Sequence, residues 1–488
     1  MERSLFCPIC LNELKDPLRT SECKHVFCGY CIKKWLQVKT SCPMDRNPIV
    51  IKDLSPLYSY SDERPTSPII ENLLECNGIY FHPNRIWNRG FFSGKPAKCT
   101  ALHCAARKGN LEICKLLVSK VATVDVLDSD NRTALFDAVI KNQIHVIEYL
   151  LERGANPNAK NHKCVTALHF AASEGNLKIC QILVSKGATV DVLDSDNMTA
   201  LFYAAKMNQT HVIEYLLEKG ADPNSKNHKC NTVLHIAALK GNLEICKLLV
   251  SKGATVDALD LDNMTALHFA AQEGSLKICQ LLVSKGATVD ALDSDNMTAL
   301  FYAAKMNQTH VIEYLLEKGA DPNSKKHKCN TALHIAASKG NLEICKLLVS
   351  KGATVDVLDS YNRTALFYAT QMNQIHVIEY LLEKGADPNS KNHKCVTALH
   401  FAAWKGNLEI CQLLVSKGAT VDALNPDNMT ALHIAAGKGN LDICQLLVSK
   451  GAAIDAVDSN NKNALFYAAK MNQTHVVEFL VEKQVVGL

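Results

Sequence analysis

Several absences in this 488-residue chain narrow its function before any motif is considered. No apolar run approaches the roughly 20 residues that cross a bilayer, so no membrane span is expected. The net charge is only +4, too small for bulk attraction to nucleic acid or an anionic membrane. There is no phosphate-binding P-loop, no dinucleotide-binding glycine fingerprint and no catalytic-triad spacing. A residue of metal-ligand type appears at Cys7 in the opening MERSLFCPIC, which leaves no room for an export signal. With 20 cysteines, that start points to the reducing cytoplasm, with the nucleus as second choice, and to thiols that are free or on metal.

The composition itself, 47% hydrophobic and 21% charged, is ordinary for globular proteins. The length exceeds one hydrophobic core and implies several domains or a repeat array. The chemistry is concentrated between Cys7 and Asp45. Paired ligand types recur there as Cys7/Cys10, Cys23/His25, Cys28/Cys31 and Cys42/Asp45. A Cys-x-x-Cys step lets two thiolates from one turn reach one metal, and zinc takes four such ligands tetrahedrally. Two structural zinc ions would use all eight groups.

The order and spacing of these pairs resemble a RING finger. In that family the pairs interleave, which implies one zinc on Cys7, Cys10, Cys28 and Cys31. The other would sit on Cys23, His25, Cys42 and Asp45. Asp45 stands where the commonest RING pattern has cysteine, although a carboxylate oxygen is an acceptable zinc ligand. In ubiquitin-ligase RINGs, the positions matching Ile9, Trp35 and Pro43 form an apolar groove for a ubiquitin-conjugating enzyme. Arg46 matches a cation that contacts the loaded ubiquitin.

Residues 1–54 are therefore expected to form a small zinc-stabilised α+β finger. Residues 55–97 form a linker rich in Ser, Pro and Tyr, with a capping helix suggested by Ile69, Ile70, Leu73 and Leu74. Trp87 and Phe91-Phe92 are expected to help that helix dock.

Residues 98–488 repeat every 33 residues, with starts at Thr100, Thr133, Thr166 and onward to Asn463 as the twelfth. Period and motif resemble ankyrin repeats, which implies an all-α solenoid of helix-turn-helix units with β-hairpin-like turns. In each unit, as in Thr166-Ala-Leu-His169, the threonine is an N-cap and Gly175 ends the helix. Leu177, Ile179, Ile182 and Leu183 are expected to face inward on the second helix. Val121 replaces the glycine that caps this helix elsewhere.

Two kinds of unit alternate, in the order A B A B A A B A B A A B. A units read TALHxAA and B units TALFYAA, and residues 194–226 are identical to 293–325. Turns after A units are acidic (Asp194, Asp196) and turns after B units are basic (Lys226, Lys229). The exposed edge is thus expected to alternate in sign, a poor track for a polyanion, so protein partners are expected and nucleic acid is not.

Variation within the fixed frame points to contacts. The position after the Ala-Ala pair holds Arg107, Ser173, Leu239, Gln272, Ser338, Trp404 and Gly437 in the A units. Trp404, helped by Leu239, is the expected substrate anchor. His162 and Cys164 with His169 imitate a metal site, as do His228/Cys230/His235, His327/Cys329/His334 and His393/Cys395/His400. Repeat logic instead assigns the histidines to turn hydrogen bonds, and the Ile-Cys cysteines to the core.

Together the two resemblances imply a RING-type ubiquitin-protein ligase. It would hold a ubiquitin-conjugating enzyme and ubiquitin on the finger and protein substrates on the array, with no covalent intermediate. The alternative is a non-catalytic ankyrin scaffold whose RING mediates dimerisation or protein binding. The sequence leaves a RING-mediated dimer open under either reading.

Overall fold

The computed structural model describes residues 99–120, 122–325 and 330–485 with their side chains. It describes the backbone alone for residues 17–20, 26–28, 54–56, 87–88, 98 and 486. The chain divides into two compact units, Met1–Arg85 and Ile86–Leu488.

In the first unit, Val26 and Phe27 are residue types that favour pleated backbone. They lie in β2 (Val26–Cys28), which pairs antiparallel with β1 (Pro17–Thr20). β3 (Leu54–Pro56) pairs antiparallel with the other edge of β1, giving the order β2-β1-β3. The suggested helix around Ile69–Leu74 lies outside the described residues, as do Phe91-Phe92 and Val121. At the start of the second unit, β4 (Trp87–Asn88) pairs with β5 (Lys98–Cys99), so the Trp87 backbone is part of a short ribbon that leads into the array.

From Ala101 to Val486 the described residues form 24 helices and no strand. The unit beginning at Thr166 shows why. Thr166 is extended (φ −98°), and its side chain and that of His169 cap the first turn of helix Ala167–Ser173 reciprocally. Gly175 follows with φ +71°, a left-handed conformation that costs about 1–2 kcal/mol for a residue with a Cβ. Asn176 then starts helix Leu177–Ser185, its side-chain oxygen accepting from the Ile179 N–H at 3.1 Å. Ala171 and Ala172 are buried and small enough for neighbouring helices to approach.

The fully buried residues of the second helix are Ile179, Cys180 and Leu183, while Leu177 and Ile182 pack half-buried at the margin. One continuous core runs from Leu102 to Leu480, as stacking units that cannot bury their faces alone require.

Neighbouring units are joined by a repeated set of bonds. In A units the finger aspartate accepts backbone N–H groups of the next unit, as Asp191 does from Asp222 at 3.2 Å. In B units an asparagine does the same, Asn158 accepting from Thr189 at 2.8 Å. The described fingertips form no strand, and adjacent tips are linked by backbone bonds such as Ser195 N–H to the Lys163 carbonyl, 2.9 Å. Pro426 occupies the position equivalent to Ser195 in the tenth unit and has no N–H to give, so that link cannot form there.

Candidate functional site

The register of the small sheet shows where the described strands lie in sequence relative to the expected ligand positions. Pro17 lies opposite Cys28, and Arg19 opposite Val26. Cys23 and His25 fall in the connection between Thr20 and Val26, at one end of the ribbon. Cys28 closes β2 at the other end, beside Pro17, where the chain arrives from Cys7 and Cys10. β3 enters opposite Thr20, at the Cys23/His25 end, with Cys42 and Asp45 preceding it in sequence. The donor set of six cysteines, one histidine and one aspartate suits zinc. Apart from the Cys28 backbone, these ligand candidates lie outside the described residues, as do Ile9, Trp35, Pro43 and Arg46.

On the array, the position after the Ala-Ala pair is put to several uses. Arg107 forms an ion pair with the fully buried carboxylate of Asp137 on the next unit. The backbone carbonyl of Ser173 accepts from the Gln209 side chain at 3.3 Å. Leu239 is half-buried. Trp404 is different, being 48% exposed in the last turn of helix Ala398–Lys405. Its ring lies 5.5 Å from that of Phe401, and the ammonium groups of Lys405 and Lys438 lie 5.2 Å and 5.3 Å from its centroid.

The histidines of the A units are committed to the fold. His169 is 1% exposed; its Nδ1 accepts from the Thr166 N–H at 3.1 Å, and its Nε2 lies 3.1 Å from the Met198 carbonyl. A carbonyl can only accept, so Nε2 carries the proton and the ring is neutral. Burial pushes the pKa down for His169, His235, His268, His334, His400 and His433. With both nitrogens of each ring engaged, these histidines have no lone pair to offer a metal, and no metal-holding cluster occurs among the described residues.

The Ile-Cys thiols of Cys114, Cys180, Cys246, Cys279, Cys345, Cys411 and Cys444 are all buried, which pushes each pKa up to about 12. They are protonated at neutral pH and serve as small apolar residues. Cys164, Cys230 and Cys395 instead occupy fingertip turns at φ between +50° and +57°.

The acidic turns are less available than their sequence suggests. Asp194 is 6% exposed; it accepts the N–H groups of Asp196 and Met198 and, at 2.7 Å, the hydroxyl of Tyr203 from the following B unit. Asp293 is held likewise by Tyr302 at 2.7 Å, and burial together with the neighbouring carboxylate raises the pKa of both tyrosines. At the first joint Asp137 stands where later B units have this tyrosine, and Arg107 answers it. From sequence alone Arg107 reads only as a candidate surface contact. The signal was there in the simultaneous departure of two neighbouring units from their consensus.

A stack of capped helix pairs with one continuous core defines a repeat-solenoid protein. The family model for ankyrin repeats matches residues 66–161, 159–227, 234–326, 324–392 and 397–487, and the chain belongs to that family. At the N-terminal end, the model for the C3HC4-type zinc finger, or RING finger, matches residues 6–44 and stops one residue before Asp45. The chain thus carries a RING finger, a zinc-binding module, ahead of its ankyrin array.

Relatives of the finger include the human E3 ubiquitin-protein ligase NRDP1, 35% identical over 57 residues, which is 12% of this chain and 18% of that protein. Peroxisome assembly protein 10 of Thermothelomyces thermophilus is 45% identical over 51 residues, 10% of this chain and 11% of its own length. The breast cancer type 1 susceptibility protein homolog of Rattus norvegicus is 35% identical over 78 residues, 15% of this chain and 4% of its own length. The likeness therefore spans less than a fifth of these relatives. No described helix is long and apolar enough to cross a membrane.

Proposed function

We propose that the protein is a RING-type ubiquitin-protein ligase whose ankyrin array recruits protein substrates. The observation that carries this reading is the eight-donor series from Cys7 to Asp45, in a segment that matches the RING family and resembles a named E3 ligase. The β1–β2–β3 register supports the ligand grouping. In this reading Cys7, Cys10, Cys28 and Cys31 would hold one zinc. Cys23, His25, Cys42 and Asp45 would hold the second. Bound zinc would supply structure, with four protein donors available for each ion.

The chain's own residues then act by positioning. Ile9, Trp35 and Pro43 dock the conjugating enzyme, and Arg46 steadies its ubiquitin. A substrate lysine held by the array attacks the thioester directly. The gain is proximity and orientation, with no nucleophile supplied by this chain. Asp45 favours a second reading, a binding scaffold, because an oxygen ligand weakens the thiolate character of that site.

The test is discharge of ubiquitin from a preloaded conjugating enzyme onto free lysine. The full chain should accelerate discharge with at least one enzyme of a panel, and Trp35→Ala should remove the acceleration without lowering zinc content. Zinc-loaded protein that leaves discharge at its spontaneous rate with every enzyme would leave the scaffold reading in its place.

A further inference from the structure

We infer that Trp404 and the lysines around it form a docking site for an acidic segment of a partner protein that carries an apolar side chain. The inference rests on the array's role as the substrate arm and specifies the chemistry of what it takes.

Trp404 is the large apolar residue at a position whose A-unit counterparts are small, polar or half-buried, and 48% of it meets solvent. Its packing onto Phe401 orients the indole without burying it. On the next unit the equivalent position is Gly437, where a Cβ would meet nothing nearer than the Tyr467 Cβ at 3.6 Å. That glycine is inside helix Ala431–Lys438, with no positive φ to require it, so the next unit presents no side chain of its own at this position. An exposed aromatic held in one orientation is the form of a binding anchor.

The surroundings select the partner's charge. Lys405 and Lys438 both lie near the Trp404 ring, and Lys339 and Lys470 are exposed at the ends of first helices on either side. From the eighth unit to the twelfth, the two residues that close each first helix include no carboxylate. The same positions upstream carry the exposed Glu174 and Glu273. The local field is therefore positive in a chain of nearly balanced charge, and the ammonium groups are placed to receive carboxylates flanking the apolar residue. A nucleic acid would meet the same lysines but brings no apolar side chain to the indole, and the fingers offer it no continuous positive track.

The test uses fluorescence anisotropy of the zinc-loaded full chain with a labelled peptide in which glutamates flank one leucine. Controls are the peptide with lysine for glutamate, the peptide with serine for leucine, and a single-stranded RNA of similar charge. The glutamate-leucine peptide should bind, more weakly as salt rises. Trp404→Ala should weaken it about 30-fold or more, the change expected at a hot spot. Lys405→Glu with Lys438→Glu should abolish it. Helical circular dichroism verifies that each variant is folded.

Wild-type affinity in folded Trp404→Ala would overturn the inference. So would equal binding of the serine peptide or the RNA, which would reveal only a generic polyanion site. No conjugating enzyme enters this measurement, so its failure and the failure of ligase activity are read separately.

Discussion

Acid should unfold the array through its histidines, and the proton count is written in the structure. His169, His235, His268, His334, His400 and His433 are each buried neutral, donating from Nε2 to a carbonyl 29 residues on and accepting at Nδ1 from the N-cap threonine N–H. Protonation would remove the Nδ1 acceptor and place a cation in the core. Burial holds the folded pKa of each below the usual 6.5. The unfolded chain therefore takes up protons first as the pH falls. Stability is full above about pH 6.5 and declines from there toward the folded pKa. Each histidine contributes a slope of up to about 1.4 kcal/mol per pH unit, so the six together reach at most roughly 8 kcal/mol per pH unit if the array unfolds as one.

Urea unfolding followed by far-UV circular dichroism at pH 7.5, 6.5 and 5.5 measures this. Replacing one histidine, as in His268→Gln, should lower the slope by about one proton even where it lowers stability overall. Unchanged or rising stability between pH 7.5 and 5.5, or a slope indifferent to His268→Gln, would refute the reasoning. If the array melts in segments, each transition should carry only the histidines of its own units.

Three further outcomes follow from particular contacts. Arg107→Ala should destabilise the first joint by roughly 3–5 kcal/mol, because it removes the cation paired with a fully buried carboxylate. Adding Asp137→Tyr, the residue of the later B units, should restore most of that in the melting temperature. Gly175→Ala should cost about 1–2 kcal/mol from its φ of +71° alone. Its new Cβ would also displace Gln209, so it should cost more than Gly241→Ala, whose neighbour is Ser275 at 3.2 Å. In a thiol-labelling assay at neutral pH, the seven Ile-Cys thiols with pKa pushed up to about 12 should stay unmodified until denaturant is added, while the exposed Cys395 labels at once.

The frame of the array was legible because most units repeat the same local signals: a threonine cap, an Ala-Ala pair and a glycine or asparagine at the helix end. Local signals sufficed since each helix is short and each turn is built from its own residues. What escaped was chemistry decided between units. Asp194 looked like solvated surface charge, yet the Tyr203 hydroxyl and two backbone N–H groups draw it inward. Gly175 looked like a helix stop alone, yet it also leaves room for the Gln209 side chain of the next unit. The finger's ligand types were equally plain from their spacing. Their division into two interleaved sets came from the resemblance to the RING family, and the register of β1 with β2 and β3 is compatible with it. Trp404 was visible as an outlier at a fixed position, whereas the two ammonium groups beside the indole became apparent only in three dimensions.

Autoubiquitination of the purified full chain, with zinc counted in parallel, tests the proposed transfer of ubiquitin through a two-zinc finger. Ubiquitin ladders are expected with at least one conjugating enzyme, with two zinc ions per chain, loss of ladders on Trp35→Ala with zinc retained, and loss of one zinc on Asp45→Ala. Folded chain that holds both zinc ions and forms no ladder with any conjugating enzyme would contradict it.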